Sequence, residues 1–225
     1  MKTKLKIYIA LFFLSVSGLS AQYFGPKVSI DSLVNFSRQD SLRLNEEIEL
    51  LENLVLQNPN FWNDLRQCDF KCSNQLVIRK RSVNKKGTYP KKNKKQRFVK
   101  DYTNDEIFDM LFLGNDLIGN ANDSILNLNL KLYERDTKSD TKGRTNGFYQ
   151  IIKSYRNKTI NQEKGTYAAH LLHEYLHLLG FVHISQSAKR NKRKCRGYDV
   201  PYSIGKLAQK YLNLEVIGEE DLCVD

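Results

Sequence analysis

Residues 173 to 183 read His-Glu-Tyr-Leu-His-Leu-Leu-Gly-Phe-Val-His. No other stretch of the chain narrows the possible folds so far. Residues four apart on a helix share a face, so His173 and His177 can direct two imidazoles at one ion. Glu174 follows the first of them, about 100° around the helix, within reach of a water held by that ion. Gly180 has no Cβ and can adopt the left-handed conformation that stops a helix. The chain can then turn and bring His183 back as a third ligand. Three protein ligands leave a fourth position of a zinc ion open, which is how catalytic zinc sites are built. The segment therefore demands a helix that ends near Gly180 and a return that passes the same ion.

His173-Glu174-x-x-His177-x-x-Gly180-x-x-His183 resembles the extended zinc signature of the metzincin metallopeptidases. The likeness is strict over these residues. Outside them it extends only to the order of elements between residues 103 and 212. It implies an α+β fold, a metzincin-like zincin core in which a mixed, twisted sheet packs on two long helices. The zinc helix is central and a C-terminal helix closes the domain. It also implies a secreted zinc-dependent endopeptidase. His173, His177 and His183 would hold Zn2+. Glu174 would act as general base on a zinc-bound water and then pass the proton to the leaving amine.

One departure stands out. Metzincins carry a methionine in a tight turn beneath the metal, whereas the only methionines here are Met1 and Met110. The corresponding stretch is Asp199-Val200-Pro201-Tyr202-Ser203, ahead of the closing helix, with Val200 as an apolar floor. Tyr202 then falls where some metzincins place a tyrosine that binds metal or stabilises the oxyanion. A packing aromatic is the plain alternative. His170, three residues before His173, is either a group beside the metal or an ordinary structural histidine.

Other readings compete. Cys195 as a fourth ligand would make the site structural. The protein would then be a non-enzymatic secreted binder of zinc and polyanions. A zinc hydrolase of a non-peptide amide is a further possibility.

The polyanion reading rests on charge. The formal net charge is +11, and it is concentrated in two runs. Eleven of the twenty-two residues from Arg79 to Lys100 are Lys or Arg, as are six of the eight from Lys189 to Arg196. Such runs favour anionic surfaces. Tyr89 and Phe98 are the only aromatics in the first run, too few for a base-stacking platform. The expected partners are a protein or peptide substrate and, through loops 79–100 and 189–196, an anionic surface or polyanion. A monomer is expected.

The N-terminus reads as an export signal. Lys2, Lys4 and Lys6 precede an apolar run from Ile7 to Val16, and small residues follow to Ala21. The run is too short to span a bilayer comfortably, and the mature chain offers no longer one. We expect cleavage after Ala21 and a secreted or periplasmic protein. Four cysteines, Cys68, Cys72, Cys195 and Cys223, suit two disulfides in that compartment. Of the three possible pairings, Cys68–Cys72 with Cys195–Cys223 is favoured because it joins neighbours in sequence. The expected organisation is a signal peptide (1–21), an N-terminal helical segment (22–66) and the zinc domain (67–225).

Between these landmarks the apolar pattern is regular. A polar stretch leads to a helix over Asp40–Gln57, stopped by Asn58-Pro59-Asn60. Phe61 and Trp62 pack on the main body. Leu76-Val77-Ile78 starts a strand. Thr103-Asn104-Asp105-Glu106 is a capping box, and its helix ends at Gly114. Leu126, Leu128, Leu130 and Leu132 alternate with polar residues, as in a strand buried on one face. By the resemblance, this strand or its neighbour pairs with an extended substrate. Asp136–Gly147 reads as a loop and Phe148–Tyr155 as a second strand. The metal helix starts with Thr166 as its cap and runs to Leu179. The last helix covers Ser203–Leu212.

Overall fold

A computed structural model describes residues 24–68, 70, 75–79, 97–114, 123–134, 142–146, 150–181 and 199–214. Over these residues the chain is mixed α/β, with five α-helices, a four-stranded open sheet and a separate two-stranded hairpin. The strongest alternation in the sequence forms the middle of the sheet. Strand β4 (Ile125–Tyr133) buries Leu126, Leu128, Leu130 and Leu132 on one face. Strand β1 (Lys27–Val34) pairs with it in parallel on one side, and β6 (Ile151–Tyr155) in parallel on the other. Strand β5 (Gly143–Asn146) then adds antiparallel to β6, giving the order β1-β4-β6-β5. Because β4 is flanked on both sides, it has no edge to offer a substrate. Among the described residues the open edges belong to β1 and β5.

Helix α1 (Arg38–Leu50) opens with a capping box. Ser37 Oγ accepts the Asp40 N–H at 3.2 Å, and the Asp40 carboxylate accepts the Ser37 N–H at 2.7 Å. The helix runs on into a π-helical turn, Leu51–Leu56, which buries Leu51, Val55 and Leu56. Pro59 does not merely end this segment. It occupies the first turn of a helix of its own, α2 (Pro59–Gln67), where a missing N–H costs nothing. Phe61 and Trp62 of α2 are buried as expected, and the Trp62 indole donates to the Leu56 carbonyl at 2.7 Å. The hairpin pairs β2 (Gln75–Arg79) with β3 (Arg97–Asp101). Its register sets Arg79 opposite Arg97 at the mouth of the basic loop. Helix α3 (Asn104–Phe112) carries the expected Thr103–Glu106 capping box, and Gly114 follows it with φ 63°.

The metal helix, α4 (Thr166–Leu178), packs against α1, β5, β6 and the closing helix α5 (Val200–Tyr211). Its N-terminus departs from the sequence reading. Thr166 is the first helical residue and Gly165, at φ 90°, is the cap position, with no side chain to accept anything. The cap arrives instead from α1. The Glu47 carboxylate accepts the Gly165 N–H at 3.0 Å and the Ala168 N–H at 3.0 Å. One distant side chain thus does the work of both halves of a capping box, and it places a negative charge at the positive end of the helix. Glu47 is fully buried and is paired with Arg43 at 2.9 Å.

Other differences from the sequence reading have local causes. The polar stretch after residue 22 contains β1, whose exposed outer half masks the alternation of a core strand. The polar segment assigned to a loop contains β5, a four-residue edge strand made of Gly, Arg, Thr and Asn. Strand β6 starts at Ile151, after Gln150 at φ 50°. Its buried face is set by Ile152 and Ser154. Helix α5 begins at Val200, so the stretch taken as a turn before it is its own first turn, with Asp199 as cap and Pro201 just inside. The basic residues 80–96 and 189–196 and the export segment lie outside the described residues, as do Cys72, Cys195 and Cys223. Of the four cysteines, the structure describes only Cys68, which is buried. Among the described residues no helix is long and apolar enough to cross a membrane.

Two outcomes follow from these contacts. Glu47→Ala leaves two buried helix N–H groups without their acceptor and takes from Arg43 the nearer of its two carboxylate partners, so it should cost about 3–5 kcal/mol in urea unfolding. Glu47→Gln, which keeps one acceptor oxygen, should cost clearly less. Asp40 is buried and bonded to Arg156, and that bond is the main cause lowering its pKa from 3.8 to about 2. A depressed carboxylate stabilises the fold above its unfolded pKa and loses that contribution as pH falls through the folded one. Unfolding free energy should therefore decline between about pH 4 and pH 2, and Asp40→Asn should flatten that part of the profile.

Candidate metal centre

His173, Glu174 and His177 come together on α4. One donor atom from each lies within 4.8 Å of the others, a group that could hold a metal ion. The two imidazole rings have centroids 5.2 Å apart and stand at 80° to each other. Glu174 is buried, while both histidines are partly exposed. This is the i, i+4 geometry read from the sequence, with the carboxylate on the inward side.

The glycine of the motif does more than stop the helix. Gly180 sits at φ 106°, its N–H donates to the His177 carbonyl at 3.1 Å, and the Phe181 N–H donates to the Leu176 carbonyl at 3.0 Å. These two bonds are those of a Schellman turn. The turn swings the Phe181 carbonyl back to within 2.6 Å of His177 Nδ1. A carbonyl can only accept, so Nδ1 carries the proton and Nε2 keeps its lone pair for an ion. That tautomer makes Nε2 the ring nitrogen able to bind an ion, and the backbone enforces it. Phe181 is buried and packs edge-on to Tyr102 at 6.0 Å, which anchors the turn.

The floor of the site is supplied by α5. A Cβ placed on Gly205 would stand 3.3 Å from both Cβ and Nδ1 of His173, so the bare backbone is what lets α5 approach this residue. The sequence reading assigned the floor to Val200. Val200 is indeed buried, but the close approach to His173 is made by Gly205. Tyr202 lies in the first turn of α5, its N–H bonded to the Asp199 carboxylate at 3.2 Å. Its ring is 5.0 Å from that of His173, and the side chain remains 37% exposed. Tyr202 therefore stands beside the cluster with access to solvent. His183 lies outside the described residues.

His170 is buried and stacks on Tyr167. Burial, with smaller contributions from Lys142 and His177, lowers its pKa to about 3. It is therefore neutral at physiological pH, and its 3.9 Å approach to the Glu174 carboxylate is not an ion pair. Its Nε2 makes no hydrogen bond among the described residues. Instead it abuts Gly143 of β5, where a Cβ would come within 2.6 Å. The structural reading of this histidine fits these surroundings.

Sequence reasoning missed three residues around the cluster: Gly143, Thr145 and Gly205. Thr145 Oγ1 donates to Glu174, 2.5 Å from Oε2. One of three threonines in a polar segment and two isolated glycines carry no periodic signal, so only the packing reveals them. No family model, curated protein or solved structure matches this chain.

The donor set could hold a metal ion. It offers imidazole nitrogens, one with its tautomer fixed, and a carboxylate oxygen close by. If Gly205 sets the place of His173, Gly205→Val should push the imidazole off its position. Zinc affinity should fall about 10–100-fold in a competition titration against a chromophoric chelator, while the far-ultraviolet circular dichroism stays that of the parent.

Proposed function

We propose that this chain is a secreted zinc-dependent endopeptidase of metzincin type. The reading rests most on the His173–Glu174–His177 cluster, in which two imidazoles and a buried carboxylate bring their donor atoms within 4.8 Å of one another. His173 and His177 hold the ion, with His183 as the third ligand. Zinc, when bound, supplies Lewis acidity toward the scissile carbonyl and makes a bound water easier to deprotonate.

The remaining chemistry belongs to the side chains. Glu174 takes a proton from the attacking water and returns it to the amine as the peptide bond breaks. Its burial suits a base that must work shielded from bulk solvent. Tyr202, partly exposed beside His173, would offer its phenol to the carbonyl oxygen on which negative charge develops. Cleavage of an export segment at residues 1–21 would put the enzyme outside the cytoplasm, where the four cysteines would be oxidised. The two basic runs bring it to anionic surfaces.

The competing reading, a non-enzymatic zinc- and polyanion-binding protein, parts from this one at a single measurement. The mature protein should cleave a peptide library in a manner abolished by chelator and restored by zinc. Glu174→Ala should lose about 10²–10⁴-fold in rate or more, yet retain zinc by elemental analysis after dialysis. Equal cleavage by parent and variant would overturn the assignment of Glu174. Zinc retention and heparin binding with no cleavage of any peptide would favour the binding protein. Hydrolysis of a glycan amide with peptides untouched would favour the non-peptide hydrolase.

A further inference from the structure

Strand β5 and helix α4 meet along a seam with matched spacing. Strand residues two apart and helix residues four apart are both separated by about 6–7 Å. Gly143 therefore faces His170 while Thr145 faces Glu174. At the first position a Cβ would come within 2.6 Å of His170 Nε2 and 2.3 Å of the Lys153 carbonyl oxygen. The strand is thus seated as close to the helix as backbone allows. That closeness brings the Thr145 hydroxyl 2.5 Å from Glu174 Oε2 and 3.1 Å from the Glu174 carbonyl oxygen. A threonine hydroxyl has one proton to give.

We infer that Thr145 is a positioning residue for Glu174: its hydroxyl, carried on the edge strand, fixes the plane of the carboxylate that acts on water. This rests on Glu174 serving as the general base. A glutamate has three rotatable bonds, and its terminal torsion is broad. A hydroxyl bonded to Oε2 removes that freedom and so sets where Oε1 points. Misplacement of a base by about 1 Å can cost about 10²-fold in rate. The bond also explains why a short polar segment forms a strand at this place. Gly143 permits the approach, and Thr145, paired with Ile152 in the β5–β6 ladder, is held in register.

The test compares mature, zinc-loaded Thr145→Val and Thr145→Ser with the parent. Valine keeps the shape and removes the hydroxyl, whereas serine restores it. For Thr145→Val, kcat should fall about 10–100-fold, with KM and zinc affinity within about twofold of the parent. Thr145→Ser should recover to within about threefold. In crystals of Thr145→Val the Glu174 carboxylate should rotate away from its parental plane. A parental kcat and an unmoved carboxylate in Thr145→Val would overturn the inference and leave the peptidase reading intact. Thermal melting identifies a variant that has lost its fold, in which case Thr145→Ala is measured by the same two readouts. A parent that cleaves no peptide would sink the peptidase reading, and the crystallographic comparison would still decide whether Thr145 holds the carboxylate.

Discussion

The metal helix depends on a charge supplied from another part of the chain. Helix α4 starts at a glycine that cannot cap it, and its first N–H groups are buried. Water cannot reach them, so a protein acceptor must. Glu47 of α1 is that acceptor, and Arg43 and the helix N-terminus offset the cost of burying its charge. The consequence runs in both directions along the chain. Docking of α1 gives α4 its settled start, and the start fixes the axial position of every later residue. His173, Glu174 and His177 follow it within three turns. The geometry of the cluster is therefore set partly by a segment more than a hundred residues upstream.

A second constraint acts from the sheet. Strands β4 and β6 form its interior, and β5 is laid on the far edge against α4. The helix is thus held at its start by α1, along its length by β5 and β6, and beneath His173 by α5. In each case a small or polar residue makes the decisive approach. Glu47 reaches the helix start, Thr145 reaches Glu174, and Gly205 lies against His173. Apolar residues supply most of the burial, but these few contacts fix where the helix lies.

How much of this could be read from the sequence depends on what kind of signal each residue leaves. The clustering of His173, Glu174 and His177 was legible because a helix imposes its period on them, and the leucines of β4 because a strand imposes alternation. The capping box at Thr103 was legible because both its partners lie within one turn. Glu47 was not, since a glutamate among Glu46, Ile48 and Glu49 looks like a solvated helix face. Its role appears only once the fold brings Gly165 to it. Strand β1 hid behind an exposed outer half, and β5 behind residues that favour turns. The first turn of α5 was misread because Asp-Val-Pro-Tyr suits a turn as well as a capped helix start. Pro201 is tolerated there because the first turn needs no N–H from it.

The Gly180 turn bears on when the chain can take up metal. In an unfolded chain a neutral imidazole shares its proton between two nitrogens, and part of that population offers the wrong one. The Phe181 carbonyl ends this ambiguity for His177 only after the helix has terminated and the backbone has doubled back. An ion bound through Nε2 would thereby meet its full-strength ligand only once this corner of the molecule is built, so loading would follow the end of assembly.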